Sequence, residues 1–152
     1  MPLDPVSVAS RVEAFAAACR RAGLKTTPQR AEIYRELART EEHPDAETLY
    51  RRVRKRLPSL SLDTVYRTLR MLEGRGIVSR MGTIRERARY DANTERHHHF
   101  VCTRCGLVGD FHCEALDTFP PPVEAGTMGR VDSIHVELRG VCRACQQKRK
   151  RG

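Results

Sequence analysis

Four cysteines fall in two pairs, Cys102-x-x-Cys105 and Cys142-x-x-Cys145. At that spacing one tight turn offers two thiolates to adjacent corners of a tetrahedron, and two such turns complete a four-thiolate zinc site. Gly106 and Gly140 stand beside the pairs, where tight turns need freedom. Zinc has no redox chemistry of its own, so Zn²⁺ here is a staple, tying together the ends of a lobe too small to hold alone. Cys19 and Cys113 have no paired partner in sequence, and Cys19 reads as a core residue.

A second cluster lies just ahead of the first pair. His97, His98 and His99 run consecutively. On a strand, His97 and His99 share one face and His98 points away. Asp91 and Asp110 are near in sequence. Two imidazoles with neighbouring carboxylates suggest a nitrogen and oxygen site, which suits Fe²⁺ or Mn²⁺ better than a thiolate site does.

The elements that position these groups follow from periodicity and punctuation. Ser7 is expected to cap a first helix with Val8, Val12, Phe15 and Cys19 on one face, ended by Gly23. Thr27-Pro28, Asp45 and Ser61 open three more helices, and Pro58 stops the third. The fourth puts Leu62, Val65, Leu69 and Leu72 inward and Asp63, Thr64, Tyr66, Arg67 and Arg70 outward, ending at Gly74 and Gly76. Two short strands follow, near residues 77–81 and 87–91, around a turn at Gly82. Helices followed by a hairpin make a winged helix-turn-helix. After Asn93 the texture changes to strand-like stretches at 107–111 and 131–138. The expected fold is α+β: a winged helix over residues 1–93, then a small α/β dimerisation and metal-binding domain over 94–152 with a basic tail.

Composition narrows the function. The chain has 152 residues, 39% of them hydrophobic, 5% aromatic and none of them Trp, so each lobe has a thin core. A formal net charge of +9 favours a polyanionic partner such as nucleic acid. No apolar leader or membrane-length run is present, so a cytoplasmic location without membrane contact is expected. Six cysteines in that compartment point to metal ligands or redox thiols before disulfides.

These residues resemble the Fur family of bacterial metalloregulators along nearly the whole chain. The resemblance rests on Gly23-Leu24-Lys25 with Thr27-Pro28-Gln29-Arg30, His43-Pro44, Thr64-Val65-Tyr66-Arg67-Thr68-Leu69, the histidine run and both cysteine pairs. It implies a homodimeric repressor whose regulatory Fe²⁺ or Mn²⁺ is held by His43, Asp91, His97, His99 and Asp110. Asp at both acid positions is more like the peroxide-sensing PerR branch, whereas iron-uptake repressors tend to carry Glu. That branch implies Fe²⁺-driven oxidation of His43 or His97 to 2-oxo-histidine and release of DNA. The alternative is an iron- or manganese-responsive uptake repressor that reads metal concentration. A further site known in some relatives would fall on Arg96, His98, Asp117 and Ile134, a poor ligand set, so no third metal is expected. Pro120, Pro121 and Pro122 interrupt the helix that the family places after the Asp110-Phe111 stretch; proline inside a helix costs about 3 kcal/mol, so that helix must be short or broken.

On DNA, the fourth helix is expected in the major groove of a palindromic operator, with Tyr66 and Arg67 at or near bases beside Thr64 and Arg70. Lys25, Arg30 and the arginines near the third helix would hold phosphates. An enzyme is not expected: the four-thiolate site is closed to water, and the sequence shows neither a nucleophile with a partnered base nor a phosphate loop. A zinc-ribbon module that does not bind DNA fits the basic recognition helix poorly. Peroxide is the one small molecule expected to act on the protein.

Overall fold

The computed structural model describes residues 5–84 and 87–150. The chain forms two compact units, residues 1–94 and 95–152. None of the helices is long and apolar enough to cross a membrane, among the described residues.

The first unit holds four helices, α1 (Pro5–Arg21), α2 (Pro28–Ala38), α3 (Ala46–Arg54) and α4 (Leu62–Gly74), then the hairpin β1 (Ser79–Ile84) and β2 (Arg87–Asp91). Ser7 lies inside α1 and is not its cap; Pro5 already stands in the helix, where a proline of the first turn loses no intrahelical hydrogen bond. Gly23 follows with φ +67, the left-handed conformation that ends a helix at little cost to glycine. The other three starts carry side-chain caps. Thr27 accepts from the Arg30 amide, Asp45 from Thr48 and Ser61 from Thr64.

One face of each helix meets in a core of Phe15, Cys19, Ile33, Leu37, Leu49, Val53, Val65, Leu69 and Leu72. Phe15 stacks on Tyr34 with ring centroids 4.2 Å apart. A residue as enclosed as Leu69 costs about 2–5 kcal/mol when cut to alanine. Gly82 does not make the hairpin turn. It sits within β1 at an irregularity between Met81 and Thr83, where a residue without a side chain suits a bulge. The link between the strands, 85–86, lies outside the described residues.

The second unit is a three-stranded sheet in the order β4 (Val108–Phe111), β3 (His98–Cys102), β5 (Glu137–Gly140). β3 pairs antiparallel with β4 and parallel with β5. Three short helices, α5 (Glu114–Asp117), α6 (Val123–Met128) and α7 (Arg143–Lys150), complete it. The prolines at 120–122 stand between α5 and α6, so the interrupted helix is two short pieces. The strand expected over 131–138 is shorter and later. Residues 131–136 have no regular structure, because their alternating pattern finds no neighbouring strand until Val136 accepts the His99 amide. The apolar core here is small, chiefly Val101, Val108, Cys102 and Cys142.

Candidate metal centres and nucleic-acid face

The four thiols of the second unit converge. One ligand atom from each of Cys102, Cys105, Cys142 and Cys145 lies within 4.8 Å of every other. Cys105 and Cys142 Sγ are 3.7 Å apart. Tetrahedral zinc with Zn–S bonds of about 2.3 Å sets sulfurs about 3.8 Å apart, so the spacing fits. Gly106, at φ +75, turns the chain after the first pair and donates its amide to the Cys102 carbonyl. Amide hydrogen bonds from Cys105 and Cys142 pull the Cys102 thiol down to about 6, which favours the thiolate a metal needs. Hydrogen bonding to Cys142 and Cys105 pushes Cys145 up to about 12. Cys113 stands apart, half-buried at the start of α5.

The nitrogen and oxygen donors fall in two groups, one in each unit. In the first unit, the loop before α3 carries His43 and the end of β2 carries Asp91. Both are buried, with His43 Nε2 3.0 Å from Asp91 Oδ2. The other oxygen, Asp91 Oδ1, accepts the Asn93 amide at 2.7 Å.

In the second unit, register decides the grouping. His99 pairs with Asp110 across β3 and β4. His99 Nε2 is 3.4 Å from Asp110 Oδ1, and His97 Nε2 is 3.8 Å from the same oxygen. The two Nε2 atoms are 2.9 Å apart. Metal–nitrogen bonds of about 2.1 Å at right angles would hold two nitrogens about 3.0 Å apart, so the pair fits adjacent positions on one ion. His97 Nδ1 lies 2.6 Å from the Glu95 carbonyl, a bond that fixes the ring and leaves Nε2 as the ligand.

His98 points the other way, fully buried, with Nε2 3.2 Å from Asp117 Oδ1. Arg96 Nε reaches the same oxygen at 3.2 Å. Asp117 Oδ1 thus lies 3.2 Å from both a guanidinium nitrogen and an imidazole nitrogen.

On α4, Tyr66, Arg67 and Arg70 are exposed. Arg67 makes a loose contact with Asp63 at 3.4 Å. Thr64 is tied to the Ser61 cap, Oγ to Oγ1 at 2.8 Å. Lys25 is exposed, and its carbonyl accepts from Arg30 Nη1 at 2.7 Å. Near α3, Arg52 is paired with Glu42, and Arg56 with Glu32 and Glu36, so these two arginines are already engaged inside the unit. Sequence spacing did not single out Arg89. Its Nη1 donates to the His43 carbonyl at 3.2 Å, and its one local sign is its place two residues before Asp91, on the same strand face.

The profile of the ferric uptake regulator family matches residues 21–139. The peroxide-responsive repressor PerR of Staphylococcus epidermidis is 33% identical over 97% of this chain and 99% of its own. The ferric uptake regulator of Helicobacter pylori, whose structure is described as having three functional metal binding sites, superposes with a TM-score of 0.69 at 25% identity, covering 96% of this chain and 97% of that one. The Campylobacter jejuni peroxide stress regulator superposes with a TM-score of 0.63 at 28% identity, covering 88% and 98%. Family profile, near full-length identity and shared architecture agree, and the chain belongs to the ferric uptake regulator family of metalloregulators.

Proposed function

We propose that this protein is a homodimeric, metal-dependent repressor that releases its operator when peroxide oxidises a ligand of its regulatory metal. The observation that carries this reading is the donor chemistry of the two half-sites. His43 with Asp91, and His97 with His99 and Asp110, are all nitrogen and oxygen donors, and both acids are Asp. A single Fe²⁺ or Mn²⁺ taking all five would tie the winged helix to the second unit. Ligands that only one arrangement of the units brings together shift the population toward that arrangement. Zn²⁺ on Cys102, Cys105, Cys142 and Cys145 is the structural metal. That closed thiolate set leaves no place for a substrate water, which favours a regulator over an enzyme.

Bound ferrous iron would supply the electron that breaks the O–O bond of peroxide beside its own ligands. His43 or His97 would take one peroxide oxygen on its imidazole carbon in place of hydrogen, the second oxygen leaving as water, and the altered ring would lose its basic nitrogen. The half-sites then no longer share an ion, and the DNA-competent arrangement is lost. Mn²⁺ in the same site represses without this response. The exposed Phe119, Val123, Met128 and Leu138 of the second unit support a partner copy there. Two recognition helices related by a two-fold axis read a palindrome, with Arg67 and Tyr66 at bases, Thr64 and Arg70 beside them, and Lys25 and Arg30 on phosphates.

Protein loaded with Fe²⁺ under anaerobic conditions and treated with a small excess of peroxide tests the reading. Oxygen mapped to His43 or His97, appearing in step with loss of operator binding and absent from the Mn²⁺ form, is the expected result. Unmodified histidines with DNA binding intact would favour the second reading, an iron- or manganese-responsive uptake repressor. The likeness to the Helicobacter pylori ferric uptake regulator favours that reading.

A further inference from the structure

We infer that Arg89 is the positioning residue for His43: it clamps the backbone that aims this imidazole, and so sets the affinity of the regulatory site. The inference rests on the metal-site reading of His43 and Asp91, and every contact it uses lies within the first unit. His43 has φ +52, a conformation that non-glycine residues seldom enter. It also precedes Pro44, and a following proline drives its neighbour toward extended backbone. The loop is disfavoured on two counts, so something outside it must hold it.

β2 does so with three consecutive residues. Arg89 Nη1 donates to the His43 carbonyl at 3.2 Å. The Tyr90 amide donates to the Pro44 carbonyl at 3.2 Å. Asp91, two residues beyond Arg89 on the same strand face, meets the His43 ring at 3.0 Å. A bridge between Asp45 and Arg89 completes the seam, and Asp45 is the cap of α3. One strand thus supplies the acid, holds the loop and joins both to a helix of the DNA-binding fold.

Arg89 is not there for an ion pair of the ordinary kind. Its Nε is buried without an acceptor among the described residues. Two residues earlier, Arg87 finds Glu47 at 2.7 Å and Asp45 at 3.4 Å. With Nε left without an acceptor, the contact that Arg89 makes through Nη1 is the one to the His43 carbonyl.

The test uses the zinc-loaded full-length protein. Free Mn²⁺ is followed by electron paramagnetic resonance during titration, and exchange of the Tyr90 amide is followed without Mn²⁺. Arg89→Met should weaken Mn²⁺ binding by about tenfold or more, the range for losing a partner that orients a ligand, and should speed Tyr90 exchange with zinc content unchanged. Arg89→Lys, which keeps a cationic N–H donor, should recover much of both. Arg89→Gln gives the same comparison should the methionine variant fold poorly. Mn²⁺ binding as tight in Arg89→Met as in the parent overturns the inference. A parent that takes up no Mn²⁺ beyond its zinc overturns the metal reading instead. Tyr90 exchange then decides the clamp alone: faster in the variant keeps it, unchanged removes it.

Discussion

His97 and His99 hold their Nε2 atoms 2.9 Å apart, while the Nδ1 atom of His97 is spent on the Glu95 carbonyl. Two nitrogens at that distance need either a proton or a cation between them, since two lone pairs repel. Asp110 lies against both rings and supplies negative charge to the same point. His97→Ala in the zinc-loaded protein should therefore weaken Mn²⁺ binding by more than the roughly 10–100-fold cost of losing an outer partner, with the zinc retained. Calorimetric titration with Mn²⁺ measures it. Binding that survives His97→Ala undiminished would remove this residue from the site.

The zinc prediction follows from how little else holds the second unit. Its buried apolar residues are few, and two of its buried side chains, Cys102 and Cys142, are themselves proposed ligands. Binding free energy of a structural zinc is then folding free energy. Cys105→Ser, or prolonged chelation, should collapse protection from hydrogen exchange over residues 95–150 while α2, α3 and α4 keep theirs. Protection retained across β3 and β4 after verified zinc loss would show that the sheet stands without its staple.

Helix starts were legible where a single side chain decides them. Thr27, Asp45 and Ser61 each bond an amide three residues on, a relation contained in four consecutive residues. The span 131–138 alternates as a strand should, yet the strand begins only at Glu137. Its register is set by β3, with Cys102 opposite Gly140, and a distant partner leaves no local mark. Gly82 reads equally as a turn or a bulge until the pairing of β1 with β2 is known. The cysteine pairs and alternate histidines were legible because ligand spacing is short and stereotyped. Arg89 was not, since its partner is a carbonyl 46 positions away, and the positive φ of His43 has no sequence sign at all.

Asp45 makes a pH prediction. Burial raises its carboxyl, but hydrogen bonds from Thr48 and Arg87 outweigh burial and hold it below its ordinary value of 3.8. A depressed carboxyl adds stability that is complete above 3.8 and lost as pH falls through the lower folded value. Asp45→Asn keeps an acceptor for the Thr48 amide but cannot titrate. Its unfolding curve should lose less stability than that of the parent between neutral pH and the acid side of 3.8. Asp45→Ala, lacking the acceptor, should cost about 1 kcal/mol at neutral pH, read by urea denaturation. Identical acid profiles for parent and Asp45→Asn would show that the cap charge is not linked to folding.

Arg67 and Lys25 should fail differently on DNA. Arg67 projects from α4 with its side chain 78% exposed, and Asp63, 3.4 Å away, is itself 74% exposed. An exposed pair of that kind is worth at most about 1 kcal/mol, so it yields readily to a guanine that offers two acceptors. Arg67→Ala should lose about 1–3 kcal/mol on the operator and little on unrelated duplex, so the ratio between them narrows. Lys25→Ala should weaken both alike and lower the slope of log affinity against log salt by about 0.9, the share of one phosphate contact. Fluorescence anisotropy at several salt concentrations, with both DNAs and Mn²⁺ present, separates the two. If Arg67→Ala weakens operator and unrelated DNA equally and lowers the salt slope, Arg67 holds a phosphate, and base reading on this helix falls to Tyr66.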